Sequence, residues 1–253
     1  MLSEYMMLHV KLQWLKYNKE IKKIPEISQV LSMHNGGWAQ FKVEDLYNGN
    51  YVLYIDEDLE NTSDEFIEQI LFHEFTHLAD SLICHEMCRD DFKRYMHIYS
   101  EIHAAEIQMN RMLLTQEYRP FSLNQDVTHS KGILSLKYFM EQTYAHVTNE
   151  FSFPTEPILT NNFRFDSKKI FYYLGYVRSL HRNGINYQVD FSNLPECFHN
   201  IFSEILEEIL HDECNSNKLL LLEIQLQEEI KKQVARHNKE HMDKFINKIL
   251  FPN

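Results

Sequence analysis

The chain has 253 residues, 44% of them hydrophobic, and a formal net charge of −12 with 14 histidines able to change that balance. Such apolar content argues against a disordered chain, and the acidic excess argues against a protein that grips nucleic acid by neutralising phosphates. Six glycines and six prolines, about 5% together against roughly 12% in an average protein, disfavour turn-dense all-β architectures and favour a mostly helical one.

Residues 3–24 read as an amphipathic helix that stops near Ile24-Pro25, because proline disfavours helix at the residue before it. A small sheet is expected within 34–58. Trp38 to Val43 and Tyr51 to Ile55 are rich in aromatic and β-branched residues, and Asn48-Gly49 supplies a hairpin turn between them. Thr62 and Glu65 have capping-box spacing, and Asp64 and Glu65 put negative charge in a first turn. Ile67, Ile70, Leu71, Phe75, Leu78, Leu82 and Ile83 then keep helical spacing to about Cys88. A second helix is expected from about Asp90 to Gln116, ahead of Pro120. The polar stretch 119–131 is a candidate boundary, and further helices are expected near 132–148, 167–182, 196–213 and 217–250, with an irregular connection from Phe151 to Asp166.

The opening residues carry charge throughout and show no secretory signal, and no apolar run approaches the roughly 18 residues a membrane span needs. Four cysteines are weak evidence for disulfides in a chain this long. Cytoplasmic placement without a membrane partner is the expectation. Cys84, His85 and Cys88 offer only three candidates on one helix for a metal cluster, and read as packing or surface residues.

The helix expected over 64–88 contains His73-Glu74-Phe75-Thr76-His77, an HExxH sequence. Four-residue spacing puts both imidazoles on one face, within reach of a single Zn²⁺. Glu74, offset by about 100°, falls beside the ion and is placed to take a proton from a water that attacks a carbonyl. His237-Asn238-Lys239-Glu240-His241 is the inverted HxxEH order. Surroundings separate the two: uncharged Ile70, Leu71, Phe72, Phe75, Leu78 and Ala79 flank the first, and Arg236, Lys239, Asp243 and Lys244 flank the second. A metal site needs the former kind of shell, so HEFTH is the candidate.

A catalytic zinc needs three protein ligands and one open position. The long pattern HExxHxxGxxH fails, since Asp80 and Ile83 stand where glycine and the third ligand belong. A glutamate from the next helix is the alternative. Glu101 is the expected third ligand, with Glu106 in reserve and His97, on the face of Glu101 one turn earlier, as a further option. Small Ala104 and Ala105 would let that helix pack close to the first. Asp80 is a candidate to orient a ligand histidine, and His97, Tyr99, His103 and His146 are candidate oxyanion donors.

At these residues the chain resembles the gluzincin class of zinc metallopeptidases, and more narrowly the small intracellular ImmA/IrrE-type peptidases. Their second motif has glutamate followed three positions later by alanine, as at Glu101 and Ala104. The resemblance covers about residues 34–115 and departs at Ala105, where such proteins often carry a polar residue. It implies a strand beside the active-site cleft, for which Tyr51 to Ile55 is the candidate, with a free edge for an extended peptide. It also implies a regulatory protein as substrate.

The expected fold is α+β and mostly helical: a zincin-like catalytic domain over 1–120, with a small sheet and two metal helices, then a helical C-terminal extension over 121–253. The expected function is a zinc-dependent metallopeptidase acting on a protein or peptide, with His73, His77 and Glu101 on Zn²⁺ and Glu74 as general base. The alternative is a non-catalytic zinc-binding protein on that scaffold, acting as a partner-binding or sensor module; Glu74 favours the enzyme. Tyr172, Tyr173 and Tyr176 read as core residues or as walls of a substrate groove, and the apolar stripe from Leu219 to Val234 as a core helix or partner surface.

Overall fold

Alternating burial along Val52–Asp56 marks the central strand of a sheet in the computed structural model, which describes residues 2, 4–18, 24–34, 37–114, 121–150, 168–211 and 214–250. This strand, β3, pairs in parallel with β1 (Gln29–Met33) and antiparallel with β2 (Ala39–Phe41), in the order β1-β3-β2. The sheet therefore starts upstream of residue 34; the two expected strands do pair antiparallel, but a helical connection replaces the tight turn expected at Asn48-Gly49. A short helix, α2 (Val43–Tyr47), joins β2 to β3, with Glu44 and Asp45 in its first turn and Leu46 buried. Asn48-Gly49 ends that helix: Gly49 takes a φ of 72° and donates its N–H to the Leu46 carbonyl at 3.1 Å, the left-handed close that glycine permits.

Before the sheet, α1 spans Glu4–Tyr17 and stops short of the expected Ile24; the remainder of that reading, at 19–23, lies outside the described residues. It packs through Val10 and Trp14, and the Trp14 indole donates to Thr76 Oγ1 at 3.2 Å.

α3 (Asp64–Ile83) carries HEFTH. Its cap is Ser63, whose hydroxyl accepts the Phe66 N–H; Thr62, the expected cap, instead donates its hydroxyl to the Leu59 carbonyl. The helix ends at Cys84, not Cys88. It is buried nearly all round from Phe66 to Ser81, as a central helix must be. The single helix expected over 90–116 is α4 (Arg89–Tyr95), a π-helical turn (Met96–Ser100) and α5 (Glu101–Leu114) in unbroken succession.

A hairpin of β4 (Asp126–His129) with β5 (Gly132–Ser135) begins within the polar stretch 119–131 and runs past it, and α6 (Leu136–Glu150) starts only after it. The expected connection from Phe151 to Asp166 lies outside the described residues. Then come α7 (Lys168–Arg182), α8 (Glu196–Leu210) and α9 (Ser216–Leu250).

The fold is α+β and mostly helical. Its hydrophobic residues form two clusters: one between α1, the sheet and α3, the other between α5 and the later helices, taking in Ile98, Ile102, Ala105 and Met109. α7 lies directly on α5. A Cβ at Gly175 would stand 2.3 Å from the Ile102 carbonyl oxygen and 2.7 Å from the Ala105 Cβ, so Ala105 serves the α5–α7 crossing. Among the described residues no helix is long and apolar enough to cross a membrane. The four cysteines are free, with Cys84 buried and Cys88 exposed.

Candidate metal centre

His73 and His77 sit one turn apart on α3, both nearly inaccessible, with imidazole planes at 82° and ring centroids 4.7 Å apart. Their Nε2 atoms are 3.0 Å apart. From α5, Glu101 turns its Oε2 toward both, at 3.7 Å from His73 Nε2 and 3.4 Å from His77 Nε2. A tetrahedral zinc with bonds of about 2.0–2.2 Å holds its donors about 3.3–3.6 Å apart, so separations of 3.0, 3.4 and 3.7 Å come within about 0.3 Å of one face of such a site. Glu101 Oε2 has no hydrogen-bond partner despite full burial, and neither does His73 Nδ1. An orphaned buried carboxylate oxygen is costly, and a cation against the imidazoles would satisfy it.

Two of the three donors, His77 and Glu101, are held from behind. His77 Nδ1 lies 2.8 Å from the buried Ser100 hydroxyl, at the end of the π-helical turn. Lys168, first residue of α7, sets its ammonium 2.6 Å from Glu101 Oε1, leaving Oε2 to the histidines. Burial alone would raise the Glu101 pKa, but the His77 and Lys168 charges outweigh it and hold the carboxyl well below its usual range. Tyr172, one turn further along α7, meets His73 edge-on at 5.1 Å. Burial, with Glu101 and Glu74 nearby, keeps its hydroxyl protonated far above the ordinary tyrosine range.

Glu74 points beside the histidine pair. Its Oε2 accepts the Phe41 N–H at 3.0 Å, so the edge of β2 fixes its rotamer. Burial pushes its carboxyl up to about 7, and the adjacent Glu101 adds to the rise while His73 opposes it. A carboxyl poised near neutrality suits proton transfer.

The other candidates are engaged elsewhere. Glu106 pairs with Arg178 at 3.3 Å and Arg182 at 2.7 Å. His97 Nδ1 faces Glu223 on α9 at 3.3 Å, because the π-helical turn breaks the register that would align it with Glu101. Asp80 binds His103 Nδ1 at 3.0 Å and not His77; His146 is exposed on α6. Of the oxyanion candidates none lines the cavities beside Glu74, whereas Tyr172 lines both. The strand reading also needs correction. β3 is paired on both sides and offers no edge, and the strand bordering the cleft is β2. His73, Glu74 and His77 also offer possible ligand atoms that all lie within 4.8 Å of one another.

Two cavities meet at this centre. One, of about 400 Å³, is lined by Phe41, His77, Glu101, Lys168 and Lys169; the other, of about 320 Å³, by His73 and a set of aromatic residues. Gly37, Ala39, Glu74 and Tyr172 border both. No protein-family model, curated protein or solved structure matches the chain.

Proposed function

We propose that the chain is a zinc-dependent metallopeptidase with a zincin-like core of the gluzincin type, cleaving a peptide bond in a protein or peptide. The observation that carries this reading is the convergence of His73 Nε2, His77 Nε2 and Glu101 Oε2 at separations of 3.0, 3.4 and 3.7 Å, with buried Glu74 alongside and its Oε2 held by the Phe41 N–H. Two imidazoles, which would bind the ion in their neutral form, and one carboxylate make a donor set that suits Zn²⁺.

When bound there, zinc would act as a Lewis acid toward the scissile carbonyl and make water acidic enough to react near neutral pH. Glu74 takes the proton of the attacking water and returns it to the leaving amine, one carboxylate serving as base and then acid. The Phe41 N–H keeps that carboxylate aimed. Tyr172 supplies a neutral hydroxyl donor at the junction of the cavities, suited to charge developing on the carbonyl oxygen. The Phe41 N–H points away from β3, and the backbone of Ala39, two residues earlier, faces the same way. An extended substrate laid along this edge passes directly over Glu74.

The test is elemental analysis with a cleavage assay. Wild type is expected to hold one zinc per chain, lost in His73→Ala and in Glu101→Ala. Glu74→Gln is expected to keep the zinc and lose about 10²–10⁴-fold in cleavage rate. A Glu74→Gln protein with zinc and undiminished biological activity would favour a binding or sensor module instead.

A further inference from the structure

The two cavities that share Glu74 differ in chemistry. The first is bordered by Lys168, Lys169 and Glu101. Among the described residues, the second has no lysine, arginine or aspartate in its wall, and its one carboxylate is Glu74 on the shared border. Along its wall run rings in edge contact: Trp38 to Phe66 at 5.3 Å, Phe66 to His129 at 5.6 Å, His129 to Phe139 at 5.7 Å, and Phe139 to Tyr176 at 5.3 Å. The Tyr176 hydroxyl donates to Gln108 Oε1 at 3.3 Å, and that amide and phenol stand in the wall with the imidazoles of His73 and His129 and the Tyr172 hydroxyl. At about 320 Å³ the cavity reaches the size of ligand pockets, about 300 Å³ and above.

We propose that this second cavity is the specificity pocket of the site and takes an uncharged aromatic side chain of the substrate next to the bond cleaved. The inference rests on the peptidase reading and adds the substrate class. Walls of aromatic edges and faces reward a further ring, which packs edge-to-face or offset against them. Among the described residues, a lysine or arginine side chain would meet no opposite charge on the wall but Glu74, which the proton transfer uses, and an aspartate would meet Glu74 as a like charge. A tyrosine hydroxyl is tolerated, since Gln108 and Tyr176 offer it partners. Ala39 borders both cavities, so a peptide along β2 sends alternate side chains to opposite sides of Glu74.

The experiment titrates the full-length Glu74→Gln chain with N-acetyl-phenylalanine amide, N-acetyl-lysine amide and N-acetyl-aspartate amide. It follows the indole N–H signals of Trp38, in the pocket wall, and Trp14, on the buried face of α1. The phenylalanine compound is expected to shift the Trp38 signal saturably and leave Trp14 in place, with the other two at least about tenfold weaker. Ile70→Phe, which narrows the pocket, is expected to weaken binding about tenfold; should it not fold, Phe139→Leu removes a ring to the same effect. Equal binding of the lysine or aspartate compound, or a Trp38 response unchanged by either variant, overturns the proposal. Because binding needs no turnover, its failure is separable from that of the peptidase reading. A wild type that cleaves Phe-, Lys- and Asp-bearing peptides equally sinks the pocket alone, and one that binds the aromatic amide yet cleaves nothing sinks the peptidase alone.

Discussion

The chain carries two histidine pairs with the same spacing on helices, His73/His77 on α3 and His237/His241 on α9, and their ring centroids are 4.7 and 4.6 Å apart. Local geometry does not distinguish them. What differs is what the rest of the chain brings to each. The first pair is buried under a second helix that delivers Glu101, with Ser100 behind one imidazole and Phe41 behind the glutamate. The second lies on a partly exposed helix where Glu240 pairs with Arg236 at 3.2 Å, four residues away on the same face. Spacing on a helix supplies two donors; a third donor and a dry shell must come from tertiary structure.

The sharpest way to break this contrast is to remove one histidine from each pair. His77→Ala is expected to abolish zinc binding, whereas His237→Ala leaves the zinc content of the purified protein unchanged, both read by elemental analysis. A smaller effect tests the support behind His77. Ser100→Ala is expected to weaken zinc binding about 10–100-fold in competition with a chelator, as loss of an orienting partner commonly does. Lys168→Met probes the side of Glu101 turned away from the histidines. It is expected to cost about tenfold in zinc affinity in the same competition, with Lys168→Arg restoring most of it.

The smallest effect concerns the start of α9, the helix bearing the second pair. Glu208 accepts the Asn215 N–H at 2.7 Å and lies 2.9 Å from the Lys218 ammonium; the bond to Lys218 holds its carboxyl below the ordinary glutamate range, against the opposing effect of burial. A depressed folded-state pKa stabilises above the unfolded value, and the contribution fades as pH falls through the folded one. Glu208→Gln is therefore expected to lower stability to urea by about 1 kcal/mol or less at neutral pH, and to match wild type once the pH is below both values. Zinc content is expected to stay unchanged.

Much of the first site was legible because it is written in short-range patterns. HEFTH, its uncharged neighbours and a glutamate on the following helix are all features of spacing and composition. The supports were not legible, because the fold recruits them from afar: Phe41 lies 33 residues before Glu74, and Lys168 and Tyr172 come from α7, which reaches Glu101 only because Gly175 lets it lie against α5. The π-helical turn at Met96–Ser100 has no period of its own to read, yet it turns His97 toward Glu223 and brings Ser100 to His77. β1, β4 and β5 are four or five residues long and show no strict alternation of buried and exposed positions, so no period betrays them. Asn48-Gly49 misled because the same left-handed glycine that makes a hairpin turn also closes a helix.

The most direct measurement is anomalous diffraction at the zinc absorption edge from crystals of the full chain. The account predicts one peak about 2.0–2.2 Å from His73 Nε2, His77 Nε2 and Glu101 Oε2, with Glu74 beside it and not bound. A peak at His237 and His241, or none between α3 and α5, would contradict it.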